Sequence, residues 1–422
     1  MNIFVIGKSA GAQSFIELLS KSKYVDKIFC APANPAIAEF AQCVNISLDD
    51  LTGFVEFVKA NNIDITIPFD EYVIQNGIAD IFTQENLKVF APSFEASQIA
   101  TSRAFFKKFI YKQKIPSPKY GIFDREASAI DYLKKSKYPV VIKYDHFANQ
   151  DAFICAGFSK AKQIVEKVFF DVGKKVIIEE FSEGEIFRLS LVTDGYNVIP
   201  FPYVKEYDRA LDGDNGEITK GVGAYAPFTK ISSKLEEKIA QKIVFPLLDG
   251  LQNAGIPYIG FLSMKMVLTP NEDAELIECS PLPSVPEAVC AFQMIENDFI
   301  EIIKAAINGA LEDVGTCFNL TDDTVVTTAL LSGNYPDDYC ENQAVSGIED
   351  IDEDNIGLYY NDVGINSLYE ISTIGGRAFF MSAKAGTLNK AADDLYSNTD
   401  KISFNEMYYR RDIGKTAKLI HL

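Results

Sequence analysis

The sequence predicts an α/β protein that opens on a doubly wound parallel sheet and closes on a small α+β cap. Three observations carry this reading. Short apolar strands alternate with helical segments between Asn2 and Pro92, the pattern of a parallel sheet covered on both faces. From Thr324 onward the chain turns strand-rich, with VVTTALLS, IGLYYND, SLYEIST and GGRAFFMSA in succession. At 422 residues it is long enough for roughly two to four domains with packed cores.

Taken in order, Asn2 to Ile6 (NIFVI) reads as a buried strand, Gly7 to Gly11 as a tight turn and Ala12 to Ser20 as an amphipathic helix. Strands are expected at Lys27 to Ala31, Ile63 to Pro68 and Lys88 to Ala91, with a helix at Leu51 to Asn61. Ligands of such sheets sit beyond the carboxyl ends of the strands, which groups Gly7 to Gly11, Asn34 and Asp70 around one crevice. Pro116 to Phe123 reads as a linker, Glu126 to Lys135 as a helix, and Pro139 to Lys143 as a strand ending in a lysine. Lys205 to Pro227 carries DGDNG at Asp212 to Gly216, then Gly221 and Gly223. It reads either as backbone held close to a ligand, a mobile lid, or as a plain surface loop. Lys234 to Gln252 reads as one long helix. Ile256 to Leu262, Ser263 to Leu268 and Ala274 to Cys279 read as strands, and Leu388 to Ser397 as a last helix.

The stretch Lys174 to Arg188 (KKVIIEEFSEGEIFR) is the most suggestive for chemistry. A β-branched run leads into Glu179, Glu180 and Phe181, then a Ser-Glu-Gly turn and Glu185. A strand ending beside an aromatic can hold an adenine by its edge, and an acid beyond the turn can accept from ribose hydroxyls. The plainer alternative is an edge strand closed by a solvated acidic turn. Lys143 can set an ammonium over phosphate oxygens or lie in solvent. Glu278, late in its strand, can bind a metal or form a salt bridge. Gly7-Lys8-Ser9 and Gly414-Lys415-Thr416 are not phosphate loops, because Asn2 and Tyr409 stand where the upstream glycine belongs.

Composition narrows the partners. With 59 acidic against 40 basic residues the formal charge is −19, which argues against a nucleic-acid partner. The hydrophobic content of 47% and charged content of 23% are ordinary for a soluble protein. No stretch approaches the run of about 18 apolar residues needed to span a membrane, and Met1 to Gly7 lacks a leader pattern. Seven cysteines without a Cys-x-x-Cys pair imply reduced thiols and a cytoplasmic location. Two histidines, His146 and His421, leave little room for histidine catalysis.

The order of fragments resembles the phosphoribosylglycinamide synthetase family of ATP-grasp enzymes. The likeness rests on NIFVIG, APAN, NNIDITIPFDEYVIQNGIAD, FAPSFEASQIATSRAFFKKFI, PVVIKYD, VIIEEFSEGE and LDGDNGEITKGVGAYAP. It continues through GIPYIGFL, LIECSPLPSVPE, LLSGNYP, GGRAFF and YYRRDIG. It implies an N-terminal α/β domain at 1–102, an ATP-grasp domain at 103–322 with a lid subdomain at about 120–190, and a cap at 323–422. It also implies an ATP-dependent carboxylate–amine ligase, joining a glycine-like acid to a phosphorylated amine through an acyl phosphate in purine biosynthesis. By position, ATP falls to Arg103, Lys143, Glu179, Glu180, Phe181 and Glu185. Asp212, Asp214 and Glu278 take catalytic places. Asn34, Asp70, Thr219, Gly221 and Gly223 take substrate, and Glu278 and Ser280 take magnesium.

The departures from the family pattern cluster at the chemistry. The family's Gly-Gly-Arg-Glu-His turn is Ser9 to Gln13 here, and its glycine-rich lid is Asp145 to Ala152, with the glycines gone. After Glu278 the family's Asn-Ala-Arg-Phe-Gly-Asp becomes Ser280 to Val285, so Ser280 replaces the second magnesium ligand and Leu282 a substrate-facing arginine. The metal site is therefore weakened, with manganese as an alternative to magnesium. Lys265 stands where the family has a small residue and is expected beside Glu278, competing with the metal. A ligase with a different acid and amine, and an inactive nucleotide-binding paralogue, are the competing expectations. Either a monomer or a homodimer is consistent with the sequence.

Overall fold

The computed structural model describes residues 1–145, 152–171, 175–336, 339–352 and 355–415. The family-implied lid segment from His146 to Asp151, together with Thr416 and His421, lies outside the described residues.

The N-terminal layer is a parallel sheet of β1 (Asn2–Ile6), β2 (Lys27–Cys30), β3 (Gln42–Cys43) and β4 (Ile65–Pro68), in the order β3-β2-β1-β4. Its helices are α1 (Ala10–Ser20), α2 (Leu51–Ala60), α3 (Glu71–Gln75) and α4 (Ile78–Gln84). Alternate residues of β1 enter different cores: Ile3 and Val5 face one, Phe4 and Ile6 the other. This is the period-two pattern of a sheet buried on both sides. The expected strand at Lys88 to Ala91 is reduced to one parallel bridge between Thr66 and Val89, since Pro92 ends the pairing there.

Helices α5 (Phe94–Thr101) and α6 (Arg103–Lys112) lead into a four-stranded antiparallel sheet. It comprises β5 (Tyr120–Phe123), β6 (Val140–Tyr144), β7 (Ala152–Cys155) and β8 (Val176–Glu180), in the order β5-β8-β6-β7. Helices α7 (Glu126–Leu133) and α8 (Phe158–Asp171) accompany it. Two expectations are corrected here. The presumed linker contains β5, and β8 lies between β5 and β6 rather than at an edge.

The largest sheet takes β9 (Glu185–Asp194), β10 (Val198–Pro200), β11 (Val204–Leu211), β12 (Asn215–Ala226), β13 (Ile259–Leu268) and β14 (Ala274–Ser280). It continues with β15 (Thr324–Leu331), β16 (Ile356–Tyr360) and, beyond the small hairpin of β17 (Val363–Ile365) and β18 (Ile371–Thr373), β19 (Arg377–Ala385). Its order among the described residues is β14-β13-β9-β11-β12-β15-β19-β16, with β10 paired to β9. The glycine-rich segment expected to be a lid or loop is the β11–β12 hairpin. It is locked by antiparallel pairs on both sides, to β11 and to β15. The two strands expected between Ile256 and Leu268 are the single strand β13.

The long helix is α9 (Ser233–Ile239) and α10 (Phe245–Asn253), joined by a π turn at Ala240–Val244 just before Pro246, which brings no N–H. Helices α11 (Val285–Phe292), α12 (Phe299–Ile307) and α13 (Leu388–Thr399) complete the chain. An aromatic cluster fixes the N-terminal layer to the large sheet. Phe15 of α1 lies 5.1 Å from Phe69, 5.5 Å from Phe261 of β13 and 5.0 Å from Phe292 of α11. Such rings add about 0.5–1.5 kcal/mol per pair beyond their buried area. They hold the loop after β4, with Asp70, over the edge of the large sheet.

Candidate active site

Ser102 caps α6 by accepting from the Phe105 N–H, so Arg103 opens the helix and Lys107 follows one turn later on the same face. Both are buried, and their face meets β6, β8 and β14. Arg103 Nη1 donates to the Tyr144 carbonyl at 3.0 Å, and its Nη2 lies 3.7 Å from Glu278 Oε2. Lys143 Nζ donates to Glu179 Oε2 at 3.2 Å, and Lys107 Nζ lies 3.3 Å from Glu179 Oε1. Glu179 is 3% exposed, so one carboxylate serves two interior ammonium groups. Burial alone would raise its pKa, yet Lys143 and Lys107 hold it below the usual carboxylate range. Burial pulls the Lys107 pKa down, against Glu179.

These residues enclose a space of about 10 Å³, room for about one water. The assignment of Lys143, Glu179 and Glu180 to ATP beside Glu278 is corrected in two respects. Glu179, not Glu180, points inward, because alternate side chains of β8 take opposite faces. The triphosphate-sized space is the neighbouring cavity of about 460 Å³, which shares Arg103 and Glu278 with the small one. Glu179 does not frame an adenine edge: its backbone is paired to Tyr120 and Val141, and its side chain to lysines. Glu180 and Phe181 are exposed where β8 ends. Glu185 pairs with Lys230 at 2.5 Å and lines neither space.

The large cavity gathers Ser9, Gly11, Asp70, Thr219, Glu278 and Ser280, all in or beside segments singled out from the sequence. It adds Glu71, Arg188, Glu206, Lys220, Lys265 and Arg377, which sequence reasoning did not assign to substrate. Asp70 caps α3 by accepting from the Tyr72 N–H at 2.8 Å, and burial raises its pKa. Thr219 accepts from the Gly221 N–H at 3.0 Å and so shapes the cavity wall. Beneath the wall, Ser284 Oγ donates to Glu206 Oε1 at 2.5 Å, while Glu287 accepts from Ser190 and Ser263, each at 2.7 Å. That network pins the segment from Ser280 to Val285.

Five further expected site residues line neither space. Asn34 spends its amide on the Lys8 and Tyr360 carbonyls, at 2.9 and 2.8 Å, and caps a short 3₁₀ turn at Pro35–Glu39. It ties layers together and leaves no polar atom for substrate. Asp212 accepts from the Arg411 N–H at 2.8 Å, and Asp214 pairs with Arg410 Nη1 at 2.8 Å. Their carboxylates hold the chain's own C-terminal segment at an exposed rim. Gly221 has φ of +91°, and a Cβ there would meet Pro286 Cγ at 2.9 Å. At Gly223 a Cβ would meet Ile413 Cδ1 at 2.2 Å and the Thr327 carbonyl at 2.6 Å. Both glycines permit close packing rather than approach to a ligand.

Glu278 and Ser280 do not by themselves fit a metal held by the protein. Among the described residues no group of three or more His, Cys, Asp or Glu side chains is placed to hold one. Burial alone would raise the Glu278 pKa, but Arg103, Lys143, Lys265 and Arg188 hold it at about 2. One carboxylate ringed by cations, with a neutral hydroxyl beside it, is a poor cage for a hard dication. The expected Lys265–Glu278 pairing is also corrected. The residues are in register across β13 and β14, but the Lys265 ammonium bonds Asp208 at 2.8 Å, and Arg103 is the cation paired with Glu278.

Two antiparallel sheets closing on lysines and arginines beside an acid-ended strand define an ATP-grasp protein. The comparisons make the class particular. Residues 1–100 match the phosphoribosylglycinamide synthetase N domain, 101–288 its ATP-grasp (A) domain and 325–416 its C domain. The chain belongs to the phosphoribosylglycinamide synthetase family. It is 33% identical to phosphoribosylamine–glycine ligase of Caldanaerobacter subterraneus subsp. tengcongensis, over 98% of this chain and 99% of that one. It is 30% identical to the ligase of the same name from Clostridium acetobutylicum, over 99% of this chain and 100% of that one. The crystal structure of phosphoribosylamine–glycine ligase from Thermotoga maritima shares the fold, with a TM-score of 0.83, 21% identity and coverage of 98% and 100%. The biotin carboxylase domain of Hydrogenobacter thermophilus 2-oxoglutarate carboxylase, solved with MgADP, has a TM-score of 0.72 at 13% identity, covering 97% and 91%.

The inward lysines were partly legible. Lys107 could have been found from its spacing of four after Arg103. Nothing in the sequence pairs Arg188 with Glu206, which depends on the pairing of β9 with β11.

Proposed function

We propose that the protein is an ADP-forming carboxylate–amine ligase that makes glycinamide ribonucleotide from ATP, glycine and 5-phosphoribosylamine. The carrying observation is the junction of the Arg103–Lys107–Lys143–Glu179 cluster with the 460 Å³ cavity at Arg103 and Glu278. The acid's carboxylate oxygen attacks the γ-phosphorus, and ADP leaves, giving an acyl phosphate. The amine then attacks the acyl carbon, inorganic phosphate leaves, and the nitrogen gives up a proton. Arg103, Lys107 and Lys143 supply the fixed positive charge that phosphoryl transfer needs. In this reading the base lies against Glu180 and Phe181, at the exposed end of β8. Asp70 and Thr219 line the cavity wall, where in this reading the amine meets the acyl phosphate.

A divalent ion carried in on the phosphates would supply charge neutralisation beside Glu278, whose single carboxylate does not hold it alone.

A second reading, a ligase with another acid and amine, is favoured by the apolar stretch of wall at Ile218, Leu282, Pro283 and Val285. The test is ADP release with magnesium, glycine and freshly generated 5-phosphoribosylamine. Release that needs both substrates supports the first reading, and release with other pairs supports the second. ATP binding without release under any pair would leave a nucleotide-binding paralogue.

A further inference from the structure

Three adjacent strands of the large sheet set Arg188, Lys265 and Glu278 in one row, since Lys265 is in register with Arg188 of β9 and with Glu278 of β14. Two residues along, Ser263 is in register with Ser190 and Ser280, so a row of three serines lies beside the charged row on the same face. Like charges directly opposite on neighbouring strands are destabilising, which makes the Arg188–Lys265 adjacency costly unless anions answer it. Two residues of β11 do so in part. Glu206 accepts from Arg188 Nε at 2.7 Å, and Asp208 accepts from Lys265 Nζ at 2.8 Å.

Lys265 remains under-used. An ammonium has three N–H donors, and among the described residues this one makes a single hydrogen bond, to Asp208. Its side chain is 14% exposed and lines the large cavity beside Glu278. A desolvated ammonium with donors to spare calls for an acceptor-rich anion. The same floor of the cavity is short of metal ligands, with Glu278 as its carboxylate and Ser280 as a neutral oxygen.

We propose that Lys265 is a fixed counter-charge for the terminal phosphoryl group of the nucleotide, doing at the reacting end what the sparse donor set cannot do by holding a second divalent ion. This rests on the nucleotide reading above. Lys265 forms no bond in the reaction. It carries positive charge to the oxygens of the group in transfer, with Asp208 holding it upright and Arg188 behind it.

The test is calorimetric titration of the full chain with AMP, ADP and the non-hydrolysable AMP-PNP, in EDTA and in magnesium, each with and without glycine. The variants are Lys265→Met, Lys265→Arg and the double variant Asp208→Asn/Lys265→Met, which avoids a bare buried carboxylate. In EDTA, Lys265→Met is expected to weaken AMP-PNP by about 10- to 100-fold, as for loss of a charge-assisted hydrogen bond. AMP should stay within about twofold, showing that the variant is folded, because additive sites do not couple at that distance. Lys265→Arg should restore most of the loss, and the double variant should resemble Lys265→Met. Unchanged AMP-PNP affinity in Lys265→Met, or wild-type AMP-PNP binding that vanishes in EDTA, overturns the proposal. A loss that shows only when glycine is present assigns the ammonium to the acid's carboxylate and also overturns it. Failure of the wild type to bind AMP at all removes the nucleotide reading instead.

Discussion

Glu179 and Glu278 sit in the interior beside Lys107, Lys143 and Arg103, whereas Asp212 and Asp214 sit at an exposed rim beside Arg410 and Arg411. Both regions join acids to bases at close range. In the first, two lysines share one buried carboxylate, and the arrangement borders a cavity. In the second, Arg410 is 1% exposed and fully engaged, by Asp214, Asp412 and the Arg209 carbonyl. Its charge is answered by the protein itself, and Tyr207 lies under its guanidinium at 4.8 Å. An acid beside an arginine is therefore not a mark of chemistry. What separates the two regions is whether the ion pairs border a cavity or are closed over by the chain's own C-terminal segment.

The largest effect expected from testing this contrast is at Glu179. Glu179→Ala leaves two interior ammonium groups unanswered and should cost about 3–5 kcal/mol in urea unfolding, with ADP release lost. Arg410→Ala should follow, at about 2–3 kcal/mol from its lost hydrogen bonds and packing, with ATP affinity unchanged within about twofold. A large loss of ATP affinity there would erase the distinction between the regions.

Acid should loosen the rim. Burial alone would raise the Asp412 pKa, but Arg410 and the Gly213 N–H hold it below the ordinary aspartate value of 3.8. A depressed carboxyl stabilises the fold above its unfolded pKa, and that contribution is lost as pH falls through the folded value. The Asp412→Asn variant should therefore be less stable than wild type at pH 7, with the gap closing below pH of about 3.8. A gap of constant size across that range in denaturation curves would show that Asp412 is not ionised in its pair.

Asp212→Asn and Asp214→Asn should each cost less than about 1 kcal/mol, since their carboxylates are exposed. ADP release should be unaffected, and its collapse in either variant would move these aspartates back to the chemistry. The smallest effects belong to Glu185→Gln and Lys230→Ala, an exposed pair worth at most about 0.5 kcal/mol. A rise in the KM for ATP confined to Glu185→Gln would restore Glu185 to the ribose.

The sequence by itself determined the elements whose signal is local. The β1–α1 opening follows from NIFVI and Ser9, which caps α1 by accepting from the Ala12 N–H. The strands around Lys143 and Glu278 follow from apolar runs alone, whereas the helix that carries Arg103 was not read from the sequence. The sequence also singled out Lys143, Glu278 and Asp70, because strand ends and turns are where side chains can leave a sheet for a crevice, while Thr219 came from the family resemblance alone. The tertiary structure decided what lies beyond the reach of one segment. Strand order made the glycine-rich segment a hairpin pinned between β11 and β15, and the alternation of β8 sent Glu179 inward and Glu180 out. Register across β9, β13 and β14 placed Lys265 between Arg188, far back along the chain, and Glu278, beyond the next turn. Charge pairing acts over a few ångströms whatever the separation in sequence. No local pattern can therefore say which of many acids will meet which base.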